Sequence, residues 1–360
     1  MQRWPARLEA AEFRACFSEA KDPRQHQEHT QHTLVYRVAI QRLAAVFGCR
    51  PTEAAILTLR RMSEPSRYAR ELLHRSRTGQ MLLDHGFSEP DSMSAQEHRS
   101  AVPIPQREIV RLETVAEGLV DHHRRLEDWL DGVRAALAEA VRQGAVGIKT
   151  IAAYRSSLRL RRPSPRETRE AYARLRQAPR TRQGRPRLEG EALCHPLVFV
   201  AAEECVRLGV PLQVHCGIGD LDEDLAEASP LGLRPLLVDD RYAGLRLVLL
   251  HCYPYHREAA YLCSVHPDVY MDLSLAVHLA LTDGARAMRE ALGLCPWSKL
   301  LYATDASRLP EVYLVAAQLQ REALATALGE VVERGILDLP EAVEAGRRVL
   351  SANARALYRL

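Results

Sequence analysis

Lysine is almost missing from this chain: three of its 49 basic residues are lysines, Lys21, Lys149 and Lys299, and the rest are arginines. A lysine inside an apolar run, as Lys149 is, is therefore not filler. Paired thiol motifs are missing too. The eight cysteines are scattered without a CxxC, and 360 residues bury enough surface to fold without staples, so reduced thiols and a cytoplasmic setting are expected. The opening MQRWPARLEAAEFRACF has charges throughout and no apolar leader core, and no later stretch reaches the roughly 18 uncharged residues of a membrane span. Charge of one sign is also lacking. The 49 basic and 46 acidic residues are mixed along the chain for a net +3, which gives no field to steer the protein onto nucleic acid or a membrane. With 47% apolar and 26% charged residues, the composition is globular and excludes collagen, a disordered tail and a disulfide knot.

What is present falls into two rhythms. Up to residue 78 apolar residues recur at three and four, in HTLVYRVAIQRLAAVFG and SRYARELLHRS, which predicts a helical N-terminal layer over 1–78. From 79 to 360 short β-rich runs alternate with helical segments: GQMLLDHGF (79–87), REIVRLE (107–113), AVGIKTIAA (145–153), VPLQVHCG (210–217), LRLVLLHC (245–252), DVYMDLS (268–274) and KLLYATDA (299–306). Continuously apolar strands interleaved with helices predict parallel βα units buried on both faces. The Arg- and Pro-rich stretch 161–191 is expected to be a solvated insertion, and the C-terminal LPEAVEAGRRVLSANARALYRL a helix closing the outside.

Polar residues fall at the carboxyl ends of these runs: Lys149, His215, His251, Asp272 and Asp305. In a barrel such ends ring one mouth, whereas in an open sheet only those at a switch point meet. A single histidine at a strand end is more often a hydrogen-bonded structural residue than a ligand, and an Asp after a strand is commonly a helix cap. His215, His251 and Asp305 in successive strands, with Lys149 at an equivalent level, point instead to a shared polar site.

The words FRACFSEA (13–20), GIKTIAAYRSSL (147–158), PLQVHCGIGDLDEDL (211–225), LLHCYPYHREAAYL (249–262), VYMDLSL (269–275) and LLYATDASRLPEVY (300–313) resemble the amidohydrolase superfamily of metal-dependent hydrolases. They are similar to its amidohydrolase-related branch and, within that, to the N-terminal half of FluG-type glutamine-synthetase fusions. The resemblance implies an α/β fold, a TIM-like (β/α)₈ barrel. Lys149 would end strand four, His215 strand five, His251 strand six and Asp305 strand eight. It implies a divalent cofactor, zinc or manganese, with Lys149, His215, His251 and Asp305 as the metal set, and metal-activated water cleaving a C–N bond. Asp305 would act as general base, and His251 would either hold a second ion or hydrogen-bond the oxyanion. Lys149 would be carboxylated between two ions or be a cation held by acids. The family's first strand carries a His-x-His pair; this chain contains none, so the barrel is expected to lack that strand, and His26, His29 and His32 read as helix rather than as replacements.

Around these, Tyr154, Arg155, Gly219, Asp220 and Arg257 are candidate substrate contacts, since an arginine beside a tyrosine at a barrel mouth suits a carboxylate. Ion pairs of Arg155 or Arg257 with loop acids are the alternative, and Glu113 and Asp272 are expected to support the site from behind. Two other functions stay open: a decarboxylase of the same branch, and a metal-poor barrel that binds a ligand or partner without turnover. The partners expected are a small-molecule substrate, a second copy of the chain and a glutamine-synthetase-like protein.

Overall fold

The computed structural model of the chain describes residues 7–86 and 92–360. Six parallel strands follow one another in sheet order: β1 Met81–Asp84, β2 Gln106–Arg111, β3 Gly147–Thr150, β4 Leu212–Cys216, β5 Leu247–His251 and β6 Val269–Met271. The seventh apolar run contributes a bridge, Leu300 beside Met271, rather than a full strand. The first run ends at Phe87, outside the described residues. Because each strand adjoins the next one in sequence and helices intervene, the chain winds as a (β/α) barrel. Among the described residues β1 and the segment after Leu300 do not pair. Both line one central cavity, so this side of the barrel is open.

Strand alternation sets the two faces. Leu212, Val214, Leu247 and Leu249 point to the helices and join the main core, together with Ile148, Leu197, Leu300 and Trp129. Ile109, Val248, Leu250 and Leu301 pack inside the barrel against Leu357 and Tyr358. The C-terminal chain therefore plugs the barrel floor, where Gln213 Nε2 donates to Tyr358 Oη at 2.7 Å, and does more than cover the outside.

The N-terminal layer is helical: Ala10–Ala15, Leu34–Phe47, Glu53–Met62 and Pro65–Arg75. Its own core (Phe13, Tyr36, Leu43, Ile56, Leu72) continues into Leu314, Val315 and Leu319 of the long helix Pro310–Glu333. The Arg/Pro-rich stretch is not all solvated. Ser164 caps a helix Pro165–Gln177 with a full capping box, and Thr168, Ala171, Tyr172 and Leu175 are buried at helical spacing. Tyr172 stacks on Trp129, ring centroids 4.8 Å apart. No helix among the described residues is long and apolar enough to cross a membrane.

Candidate active site

One cavity of about 920 Å³ opens at the carboxyl ends of the strands and is lined by Lys149, Tyr154, Arg155, His215, Asp220, His251, Asp272 and Asp305 among others. Inward alternation brings Arg111, Lys149 and His215 to it. In β5 the same alternation sends Leu250 inward and would turn His251 toward the helices. His251 instead has φ 68°, left-handed and uncommon for a residue with a Cβ. Its N–H donates to Asp272 Oδ1 at 2.8 Å, which holds the turn and returns the imidazole to the cavity. Asp305 is also left-handed, at φ 53°.

His215 and His251 are 3% and 2% exposed, with ring centroids 4.5 Å apart. Burial, and then the Lys149 charge, hold His215 down to about 3; burial and His215 push His251 far below the usual range. Both surroundings favour the uncharged ring. His251 Nδ1 lies 2.7 Å from Ser274 Oγ, and its Nε2 is buried without a hydrogen-bond partner among the described residues, with Asp305 Oδ2 the acid facing it at 3.9 Å. His215 Nε2 meets both oxygens of Glu223, at 3.2 and 3.3 Å. Burial, helped by Asp220, pushes the Glu223 carboxyl up to about 8.

Lys149 joins a group that sequence reasoning missed. Its Nζ is 3.7 Å from Asp84 Oδ2, and Arg111 donates to the same oxygen at 2.8 and 2.6 Å. Burial by itself would raise the Asp84 carboxyl, but the Arg111 charge and then Lys149 hold it below the usual carboxylate range. Lys149 thus stands at the cavity wall beside Asp84 and Arg111. The signal was available: Asp84 directly follows the apolar Met81–Leu83, just as Asp305 falls near the end of the last run.

The other expected residues divide. Tyr154 packs against His215 at 4.4 Å between ring centroids, and its Oη accepts from the Asp220 N–H at 3.3 Å. Asp220 is held by Lys21 at 3.2 Å, from the N-terminal layer. Gly219 serves packing: a Cβ there would sit 2.0 Å from Tyr154 Oη. Arg155 lines the cavity with Nε and Nη1 buried and unpartnered among the described residues, while Nη2 is 3.8 Å from Glu117. Arg257 is not brought to the site. It lies outside, paired with Glu290 at 2.7 and 2.9 Å, because its helix His256–Val265 turns it toward the neighbouring helix Leu281–Leu292. Glu113 opens the helix Leu112–Leu119 instead of ending a strand, and accepts from Thr150 Oγ1 and the Ile151 N–H at 2.6 and 3.0 Å, supporting the end of β3. His26 is buried, bonded to Ala20 O at 3.0 Å, and does not line the cavity.

Among the described residues no three His, Cys, Asp or Glu side chains already stand as an ion cage. The fit of a divalent ion rests on His251, whose buried Nε2 lacks the partner that such an atom normally has. His215 and Asp305 flank it, and both are common first-row ligands.

Comparison with known proteins gives the family and the fold. The amidohydrolase family model matches residues 115–360. Protein fluG of Emericella nidulans is 28% identical over 309 residues, covering 78% of this chain; the chain spans about a third of that relative, 35% of its length. A structure from Lactobacillus casei ATCC 334, assigned as a metal-dependent hydrolase, superposes with a TM-score of 0.88 at 28% identity over 99% of this chain and 93% of the other. A uronate isomerase from Thermotoga maritima shares the fold alone, with a TM-score of 0.63 at 14% identity over 97% of this chain and 82% of that one. With the family match spanning most of the barrel and its site, the chain belongs to the amidohydrolase family.

Proposed function

We propose that this protein is a metal-dependent hydrolase that cleaves the C–N bond of a small polar substrate carrying a carboxylate. The observation that carries the reading is the meeting of His215, His251 and Asp305 at one cavity wall, with the His251 Nε2 unpartnered among the described residues. These three would hold zinc or manganese. When bound, the ion supplies Lewis acidity to the substrate carbonyl and acidifies the attacking water.

The remaining work belongs to the chain. Asp305, 41% exposed at its side chain and open to the cavity, takes the water's proton on a carboxylate oxygen and passes it to the leaving nitrogen. Arg155 offers two nitrogens with no partner among the described residues, a match for a substrate carboxylate. Lys149 and Arg111 outnumber Asp84 by one positive charge, which favours an anionic substrate at this wall. Tyr154 orients His215 by packing and holds the Asp220 loop.

The test uses the protein stripped by chelator and reloaded with zinc or manganese, assayed on amides and γ-glutamyl compounds with and without a free carboxylate. Asp305→Asn is expected to keep most of the ion while kcat falls by about three orders of magnitude. Arg155→Met is expected to raise KM about 10- to 100-fold for carboxylate substrates and leave neutral amides unchanged. An unchanged rate in Asp305→Asn removes that residue from the mechanism.

A further inference from the structure

The resemblance leaves His251 two incompatible roles. To hold an ion or take a proton it must present a lone pair at Nε2; to hydrogen-bond an oxyanion as a neutral ring it must present an N–H there. Distances around Ser274 decide between them. Asp272 Oδ1 accepts three hydrogen bonds: from the His251 N–H at 2.8 Å, from the Ser274 N–H at 3.0 Å and from the Ser274 hydroxyl at 2.6 Å. An oxygen receiving two backbone N–H bonds is an acceptor whether or not the carboxyl carries a proton on its other oxygen. The one hydroxyl hydrogen of Ser274 is thus spent on Asp272. Ser274 Oγ then has only lone pairs for His251 Nδ1, 2.7 Å away. The hydrogen in that contact belongs to the imidazole.

We propose that Ser274, oriented by Asp272, is a positioning residue that fixes His251 as the Nδ1–H tautomer and so presents the Nε2 lone pair to the cavity. The opposite tautomer would need the hydroxyl hydrogen to turn toward Nδ1, leaving Ser274 Oγ and Asp272 Oδ1 as two acceptors 2.6 Å apart. It would also place an N–H at Nε2 with no acceptor at hydrogen-bond distance among the described residues, Asp305 being 3.9 Å away. One carboxylate oxygen does two jobs here. It anchors the left-handed backbone of His251 directly, and it fixes the ring through the serine. Asp272 and Ser274 are 2% and 1% exposed. His251 is assigned to ion binding or proton acceptance, and the oxyanion role is set aside for the neutral ring.

The effect on rate rests on the hydrolase reading, but the tautomer does not, and the experiment separates the two. Chelator-stripped protein with ¹⁵N-labelled histidine is measured by long-range ¹H–¹⁵N correlation, with His251 assigned by its loss in His251→Gln. The expected result is a pyrrole-type Nδ1 and a pyridine-type Nε2 in the unsubstituted protein and in Ser274→Thr, with a mixed or inverted pattern in Ser274→Ala. Zinc titration is expected to show affinity weakened about 10- to 100-fold in Ser274→Ala and retained in Ser274→Thr. A pyrrole-type Nε2 in the unsubstituted protein overturns the proposal, as does a Ser274→Ala protein with unchanged tautomer and zinc affinity. The expected tautomer in a protein that hydrolyses no amide sustains this inference and rejects the hydrolase reading alone.

Discussion

His98 shows how much a single buried ring weighs. It is 1% exposed, Nδ1 lies 2.8 Å from Gln106 Oε1, and burial pushes it down to about 4. Below pH 6.5 the unfolded chain takes up a proton that the folded one refuses until about pH 4. Stability from this group is therefore complete above 6.5 and falls as pH drops toward 4. In urea unfolding the stability difference between the unsubstituted protein and His98→Gln should shift by on the order of 2 kcal/mol between pH 7.5 and 4.5; a pH-independent difference would contradict the assignment. At this scale the site was partly legible. His215, Lys149 and Asp305 stand where apolar runs end, and that pattern is visible in the letters. His251 was found the same way, yet its inward direction was not, since it depends on a positive φ and on Asp272. Asp84 and Arg111 each look like ordinary strand punctuation until the sheet sets Arg111 between Asp84 and Lys149. The glycine at 217 has a comparable hidden cause: with φ 75° and its Cβ position 2.3 Å from the Tyr253 carbonyl oxygen, no side chain fits.

Among the elements, strands were legible because buried parallel strands read as continuous apolar runs, and six of the seven runs are strands. The seventh makes only the bridge of Leu300 to Met271. The stretch 161–191 misled for a compositional reason. Its arginines and prolines mask Thr168, Ala171, Tyr172 and Leu175, a buried stripe at spacings of three and four. If that helix is part of the core, Tyr172→Ala should cost about 3 kcal/mol in denaturant unfolding, because it removes the stacked partner of Trp129 and opens a cavity. A cost under about 0.5 kcal/mol would mean that the segment is the solvated insertion its composition announces.

Across the whole molecule, the helical layer and the barrel are one body joined by a buried ion pair. Arg60 Nε donates to Glu311 Oε1 at 2.8 Å, and the two side chains are 3% and 0% exposed. Two charges taken out of water are stable together and costly apart, so Arg60→Ala should lower stability by about 3–5 kcal/mol, while a double replacement by apolar residues of similar volume should recover much of it. A loss below about 1 kcal/mol in the single variant would show the layer to be loosely held. The layer also reaches the site, where Lys21 holds Asp220 and Asp222 at 3.2 and 2.8 Å. Sequence periodicity predicted the layer; it could not predict this contact, which depends on where the layer packs.

An ion held by residues distant in the chain is what hydrolysis requires here, and crystals soaked with zinc and measured at its absorption edge test that most directly. The prediction is an anomalous peak within about 2.0–2.2 Å of His251 Nε2, with His215 and Asp305 completing its donors. No peak at saturating zinc, or one away from His251, would contradict it.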